Sequence, residues 1–224
     1  MRSTDTHAVA RARQIIAALL VSISLSAGNF SADSLLLDAY KKEDMSVWKE
    51  YVDRLSLTEH RPATPDRRQT DLLIEYGYCG YIVAEAKKEG KEALLPEAKR
   101  YVQQFKTHIE ALRNQQLPAG HYEMYRSAVL VFELRLHESI HPVKSMSLAK
   151  EAVKLAPNDP IVLTYYGTCL FYAPKPFGSK EEALTWFEKA DKYFRAPQWK
   201  FCWLKEANSM YIKQCKDKLQ KDKK

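Results

Sequence analysis

Apolar residues recur at steps of three and four along most of the chain, the spacing that gathers them on one face of a helix. Ser34–Tyr40 and Val47–Leu55 carry two short stripes of this kind, with Asp44 placed to cap the second. Thr58–Arg68 breaks the pattern. It holds two prolines, several charges and no apolar period, so it reads as a loop and as the best internal boundary. Beyond it the stripes lengthen. Leu72, Leu73, Tyr76, Cys79, Gly80 and Val83 form one, ended near Gly90. Leu94, Ala98, Tyr101, Val102, Phe105, Ile109 and Leu112 form another, ended before Pro118. Further helices are predicted near 121–138, 144–155, 159–172, 180–194 and 198–216. Seven glycines in 224 residues are too few for a turn-dense β architecture. The pattern therefore predicts an all-α protein.

The later helices repeat. Tyr125, Ala128, Val129 and Phe132 are followed by Ser145, Ala149, Ala152 and Pro157. A shift of 38 gives Leu163, Tyr166, Gly167 and Leu170, then Ala183, Phe187 and Ala190. A further shift of 40 reaches Trp203, Glu206, Ala207 and Met210. Small residues return where two helices must approach, and large ones return a turn away. Such a period marks stacked helical hairpins, none of which buries its apolar face alone.

Leu163-x2-Tyr166-Gly167-x2-Leu170 with Ala183-x3-Phe187-x2-Ala190 resembles the tetratricopeptide-repeat pattern. Ala152–Pro160 resembles the end of one such repeat and the start of the next, and Tyr76-x2-Cys79-Gly80-x2-Val83 resembles a first helix. The period here is 38–40 rather than 34, with extra loop residues at 138–143 and 173–179, and the 94–113 helix departs from the second-helix pattern. The likeness covers about residues 70–212. Pro174–Ala183 is also similar to a stretch found in exported bacterial tetratricopeptide-like proteins. The resemblance implies a right-handed stack of antiparallel helix pairs, an α-solenoid, with a short N-terminal helical hairpin and a C-terminal capping helix. It supplies a fold and no reaction.

The first segment has a different character. Arg11 and Arg13 precede the apolar run Ile15–Leu25, and Ser26, Ala27 and Gly28 follow. This is the basic, apolar, small-residue order of a secretory signal peptide, and the run is too short to span a membrane. The expected organisation is a signal peptide at 1–28, a helical hairpin and linker at 29–68, and the repeat domain at 69–224. The expected location is periplasmic or secreted, with no membrane span after cleavage. The net charge is +7. Positive residues are scattered beside acids, so no nucleic-acid partner is expected. The run 213–224 reads as a frayed, solvated terminus. Of the four cysteines, Cys202 and Cys215 are too far apart on one helix to pair, and Cys79 and Cys169 sit in apolar stripes as small hydrophobes.

One motif points to chemistry. His137-Glu138-Ser139-Ile140-His141 is HExxH, which on a helix sets two histidines against one zinc with a glutamate to activate water. Pro142 opposes this, because the residue before a proline is pushed out of the helical region. No third ligand is singled out, and the repeat register places 137–141 on a loop. A zinc-dependent hydrolase is therefore an alternative, and no catalytic residue, metal or cofactor is expected. In tetratricopeptide arrays the first helix of each pair lines the concave surface. The resemblance places Ile161, Thr164, Thr168, Phe171 and Tyr172 on that groove in the best repeat, and Glu123, Arg126, Leu130 and Glu133 in the one before. The expected function is an exported scaffold that binds a protein or peptide partner there. A small-molecule-binding envelope protein is the other alternative.

Overall fold

The computed structural model describes residues 30–56, 65–113, 117–137, 141–174 and 176–221. The signal-peptide expectation and residues 57–64 of the expected loop lie outside them. The described residues form nine α-helices joined by turns and short loops, and no strand. In chain order they are α1 (Phe30–Lys41), α2 (Met45–Ser56), α3 (Pro65–Ala86), α4 (Leu95–Ala111), α5 (His121–Arg135), α6 (Pro142–Leu155), α7 (Pro160–Tyr172), α8 (Lys180–Tyr193) and α9 (Trp203–Lys221).

Local chemistry sets the starts. The Asp44 carboxylate accepts from the Ser46 amide at 3.2 Å and caps α2, as the spacing predicts. Pro65, Pro142 and Pro160 open α3, α6 and α7, where a missing N–H costs nothing. Asp159 caps α7 by accepting from the Ile161 and Val162 amides, and Ser179 caps α8 through the Glu182 amide. Gly120 precedes α5 at φ 77°, and a methyl there would lie 2.5 Å from the Ala152 carbonyl, so only glycine fits.

Two boundaries differ from the expected ones. The segment 65–68 belongs to α3, because Pro65 is a favoured first helical residue as well as a loop signal. The last helix does not begin at 198. A short turn at Pro197–Trp199 precedes it, and α9 then runs through Lys221. Its basic tail stays helical because Tyr211, Cys215 and Leu219 continue the stripe of Leu204, Ala207 and Asn208, and Cys215 is fully buried.

Each helix packs on its chain neighbours. In addition, α3 touches α5, α5 touches α7, α7 touches α9, and α9 returns to α1. Trp48 on α2 and Trp203 on α9 meet edge to face at 5.2 Å, Tyr40 packs at 5.4 Å from Trp203, and Lys41 pairs with Glu206 at 3.2 Å. The first two helices thus close against the last. Fully buried Trp48, Tyr101, Phe105, Tyr125, Phe187 and Phe194 fill the core. Glycine permits the closest approaches: an added methyl at Gly77 would lie 2.5 Å from Trp48, and one at Gly167 would lie 2.7 Å from Phe187.

Candidate functional site

The odd-numbered helices turn aromatic side chains towards one another. Tyr76 on α3 is the hub. Its ring lies 6.0 Å from Phe132 and 6.5 Å from Tyr125 on α5, 5.9 Å from Tyr165 on α7 and 6.3 Å from Trp203 on α9. A second group adjoins it. Tyr211 on α9 stacks on Phe187 at 5.1 Å and lies 6.1 Å from Phe171 and 6.3 Å from Tyr172. Tyr76, Cys169 and Tyr211 are half-buried. With Tyr172 and Thr168 they make up an aromatic face between α3, α7 and α9. Tyr172, 65% exposed, forms its lip.

Hydroxyl contacts hold the face in place. Tyr165 donates to Ser127 at 2.7 Å, and Ser127 donates to the Ser145 carbonyl at 2.6 Å, tying α7 to α5 and α6. Thr168 donates to the Thr164 carbonyl at 2.9 Å. Burial pushes the Tyr76 and Tyr211 hydroxyls up, and their phenolic neighbours add to the effect. Burial also pushes the Cys169 thiol up to about 12 and Tyr40 up to about 12, the latter with help from Glu206. Every one of these groups stays protonated near neutral pH. The face offers stacking surface and neutral hydrogen bonds, and it carries no thiolate or phenolate.

The nine expected groove residues divide. Thr168 and Tyr172 lie on the aromatic face. Ile161, Thr164 and Phe171 are buried, which corrects their placement on an open groove. The reason is α9, which packs across α7. Thr164 donates to Asn208 of α9 at 3.0 Å, and Tyr211 covers Phe171. Arg126, Leu130 and Glu133 line a separate half-open slot of about 160 Å³ with Lys106, Ile109, Glu110, Val129 and Lys144. Its rim is paired, Lys106 with Glu133 at 2.7 Å and Arg126 with Glu110 at 3.7 Å. Glu123 is half-buried on the first turn of α5, beside the slot rather than in its wall.

The HExxH histidines stand on different elements. His137 follows α5 with φ 60°, and His141 is the residue that precedes α6. Both are exposed, and His137 Nε2 lies 3.0 Å from Lys87 Nζ. Glu138 lies outside the described residues. Among the described residues no group of three or more His, Cys, Asp or Glu is disposed to hold a metal ion.

The aromatic face was not legible as a site. Tyr76, Cys79 and Val83 read as one core stripe, and Tyr211 is an unremarked position of the helix expected near 198–216. Tyr165–Tyr166 and Phe171–Tyr172, adjacent aromatics that cannot all share one helix face, were the available signal.

No family model and no curated protein matches the chain, so the tetratricopeptide likeness stays one of sequence pattern. No described helix is long and apolar enough to cross a membrane. Among solved structures the chain is similar to the HusA haemophore from Porphyromonas gingivalis, with a TM-score of 0.55 and 14% identity. The match covers 86% of this chain and 96% of that one, and at this identity it is a likeness of all-helical fold alone.

Proposed function

We propose that this chain is an exported, non-catalytic binding protein for a flat, largely apolar small molecule of the porphyrin class. The observation that carries the reading is the aromatic face of Tyr76, Tyr172, Tyr211, Thr168 and Cys169 between α3, α7 and α9, half-buried except at exposed Tyr172. A planar ring system gains on such a surface from apolar burial and from offset or edge stacking, each aromatic contact adding about 0.5–1.5 kcal/mol. The fold likeness to a protein named a haemophore supports the same ligand class. The order of charge, apolar run and small residues in 1–28 supports export to the periplasm or beyond. The scaffold in this reading is the right-handed stack of helix pairs expected from the repeat, with α1, α3, α5, α7 and α9 as the inner helices.

The peptide-adaptor reading stands second, on one observation. Arg126, Leu130 and Glu133 do share a slot. Its volume suits one side chain and falls below the roughly 300–1,000 Å³ of a small-molecule pocket.

Titration of haemin with the purified chain tests the proposal. Saturable one-to-one binding with a shifted absorbance band is expected. Tyr172→Ala and Tyr211→Ala should each weaken it about 2- to 10-fold. An unshifted haemin spectrum through a large excess of folded protein overturns it.

A further inference from the structure

The Lys218 ammonium lies 4.2 Å from the centre of the Phe171 ring. That ring is 4.9 Å from Tyr172 and 6.1 Å from Tyr211, so Lys218 stands at the edge of the aromatic face. Two residues earlier, Lys216 pairs with Glu188 at 3.0 Å. Lys218 has no carboxylate partner among the described residues. Burial raises the Cys215 thiol to about 11 against the pull of Lys218, while Glu181 and Lys180 act on it with opposite signs. Lys218 is thus a cation set against the edge of an aromatic face.

We infer that Lys218 is a specificity-determining residue that reads an acidic edge of the ligand, a carboxylate carried by the same flat molecule whose ring lies on Tyr172 and Tyr211. The inference rests on the porphyrin-class reading. Its physical basis is charge complementarity. The Phe171 ring face holds the ammonium by a cation–π contact, so little side-chain freedom remains to be lost when an anion arrives. An exposed pair of this kind adds a modest affinity increment that salt screens.

Protoporphyrin IX and its dimethyl ester share one ring and differ in two carboxylates, so they separate ring recognition from edge recognition. The chain should bind the diacid about three- to fivefold more tightly than the ester. Lys218→Met should remove that preference, and Lys218→Glu should reverse it. Neither substitution should alter ester affinity, and each should lower the melting temperature only slightly, through loss of the exposed contact with Phe171. Raising the salt to about 0.5 M should weaken diacid binding and spare the ester. Equal affinity for the two ligands, or a diacid preference that survives in Lys218→Glu, overturns this inference and leaves the porphyrin-class reading standing. Binding of neither ligand overturns both.

Discussion

His121 Nε2 lies 3.0 Å from Asp159 Oδ2, and the two residues are 38 positions apart. Tyr165 and Ser127, joined at 2.7 Å, are also 38 apart. The shift read from the sequence is thus the spacing at which α5 and α7 exchange polar contacts. His121 is fully buried at the start of α5, while Asp159 caps α7. One carboxylate therefore serves a helix end and an inter-helix contact together.

Asp159→Asn keeps a capping oxygen but loses the charge that faces His121, so it should destabilise the fold by about 1 kcal/mol. The effect should depend on pH. Burial acts to raise the Asp159 carboxyl, but the His121 contact and the two α7 amides outweigh it and hold the group below its usual range. A carboxyl depressed on folding stabilises above its unfolded value of about 3.9 and loses that contribution as pH falls through the lower folded value. Urea midpoints of wild type and Asp159→Asn should differ at pH 6 and draw together as the pH falls below the unfolded value of about 3.9 and through the lower folded one. A constant gap across that range would contradict the role given to the carboxylate.

Gly77 and Gly80 sit one turn apart on α3 and should respond oppositely to alanine. At Gly77 a methyl meets the Trp48 and Trp203 rings at 2.5 and 2.7 Å, so Gly77→Ala should overpack the closure and cost about 1–3 kcal/mol. At Gly80 the nearest atoms are in the Phe132 ring at 3.9 Å. Gly80→Ala should be neutral or stabilise by up to about 1 kcal/mol through helix propensity. Gly167→Leu, which meets Phe187, should behave like Gly77→Ala. Thermal melts of the three variants check the ordering.

Local periodicity identified each of the nine helices, because a stripe at 3.6-residue spacing is a property of one segment. The 38-residue shift also follows from local patterns compared with themselves. What stayed hidden is what segments far apart do to each other. Trp48 and Trp203 are both sensible core residues, and nothing near either one announces that they touch. Thr164 illustrates the cost. A threonine on an inner helix reads as a groove residue until α9 arrives with Asn208 to cover and satisfy it. Tyr76 fails in the opposite sense: its stripe reads as core, yet the surrounding helices leave it half-buried among the rings of α5, α7 and α9.

The purified chain should contain no stoichiometric zinc, and His137→Ala should leave its melting temperature unchanged. A two-histidine site on one helix needs both rings on a shared face, and His137 and His141 belong to the end of α5 and the start of α6. A folded-state zinc site would link metal binding to stability, so a chelator would lower the melt. About one zinc per chain with a chelator-sensitive melt would bring the hydrolase alternative forward.

Asn208 should be the polar residue whose loss most loosens α9. It is fully buried, accepts from Thr164 Oγ1 at 3.0 Å through its carbonyl, and donates from its amide to the Phe187 carbonyl at 3.0 Å. It therefore joins α9 to α7 and α8 with both ends of one side chain. Asn208→Ala strands the buried Thr164 hydroxyl, already next to Thr168, which bonds back to the Thr164 carbonyl at 2.9 Å. A buried group left without its partner costs about 1–3 kcal/mol, whereas removing both partners costs less. Thr164→Val should thus partly rescue Asn208→Ala, giving a favourable coupling of about 0.5 kcal/mol or more in a double-mutant cycle. The same pair bears on ligand binding, because α9 carries Tyr211. If α9 docks through Asn208, then Asn208→Ala should weaken haemin binding while Thr164→Val alone leaves it nearly unchanged. Additive stability effects with no coupling would show that α9 is held by its apolar stripe alone.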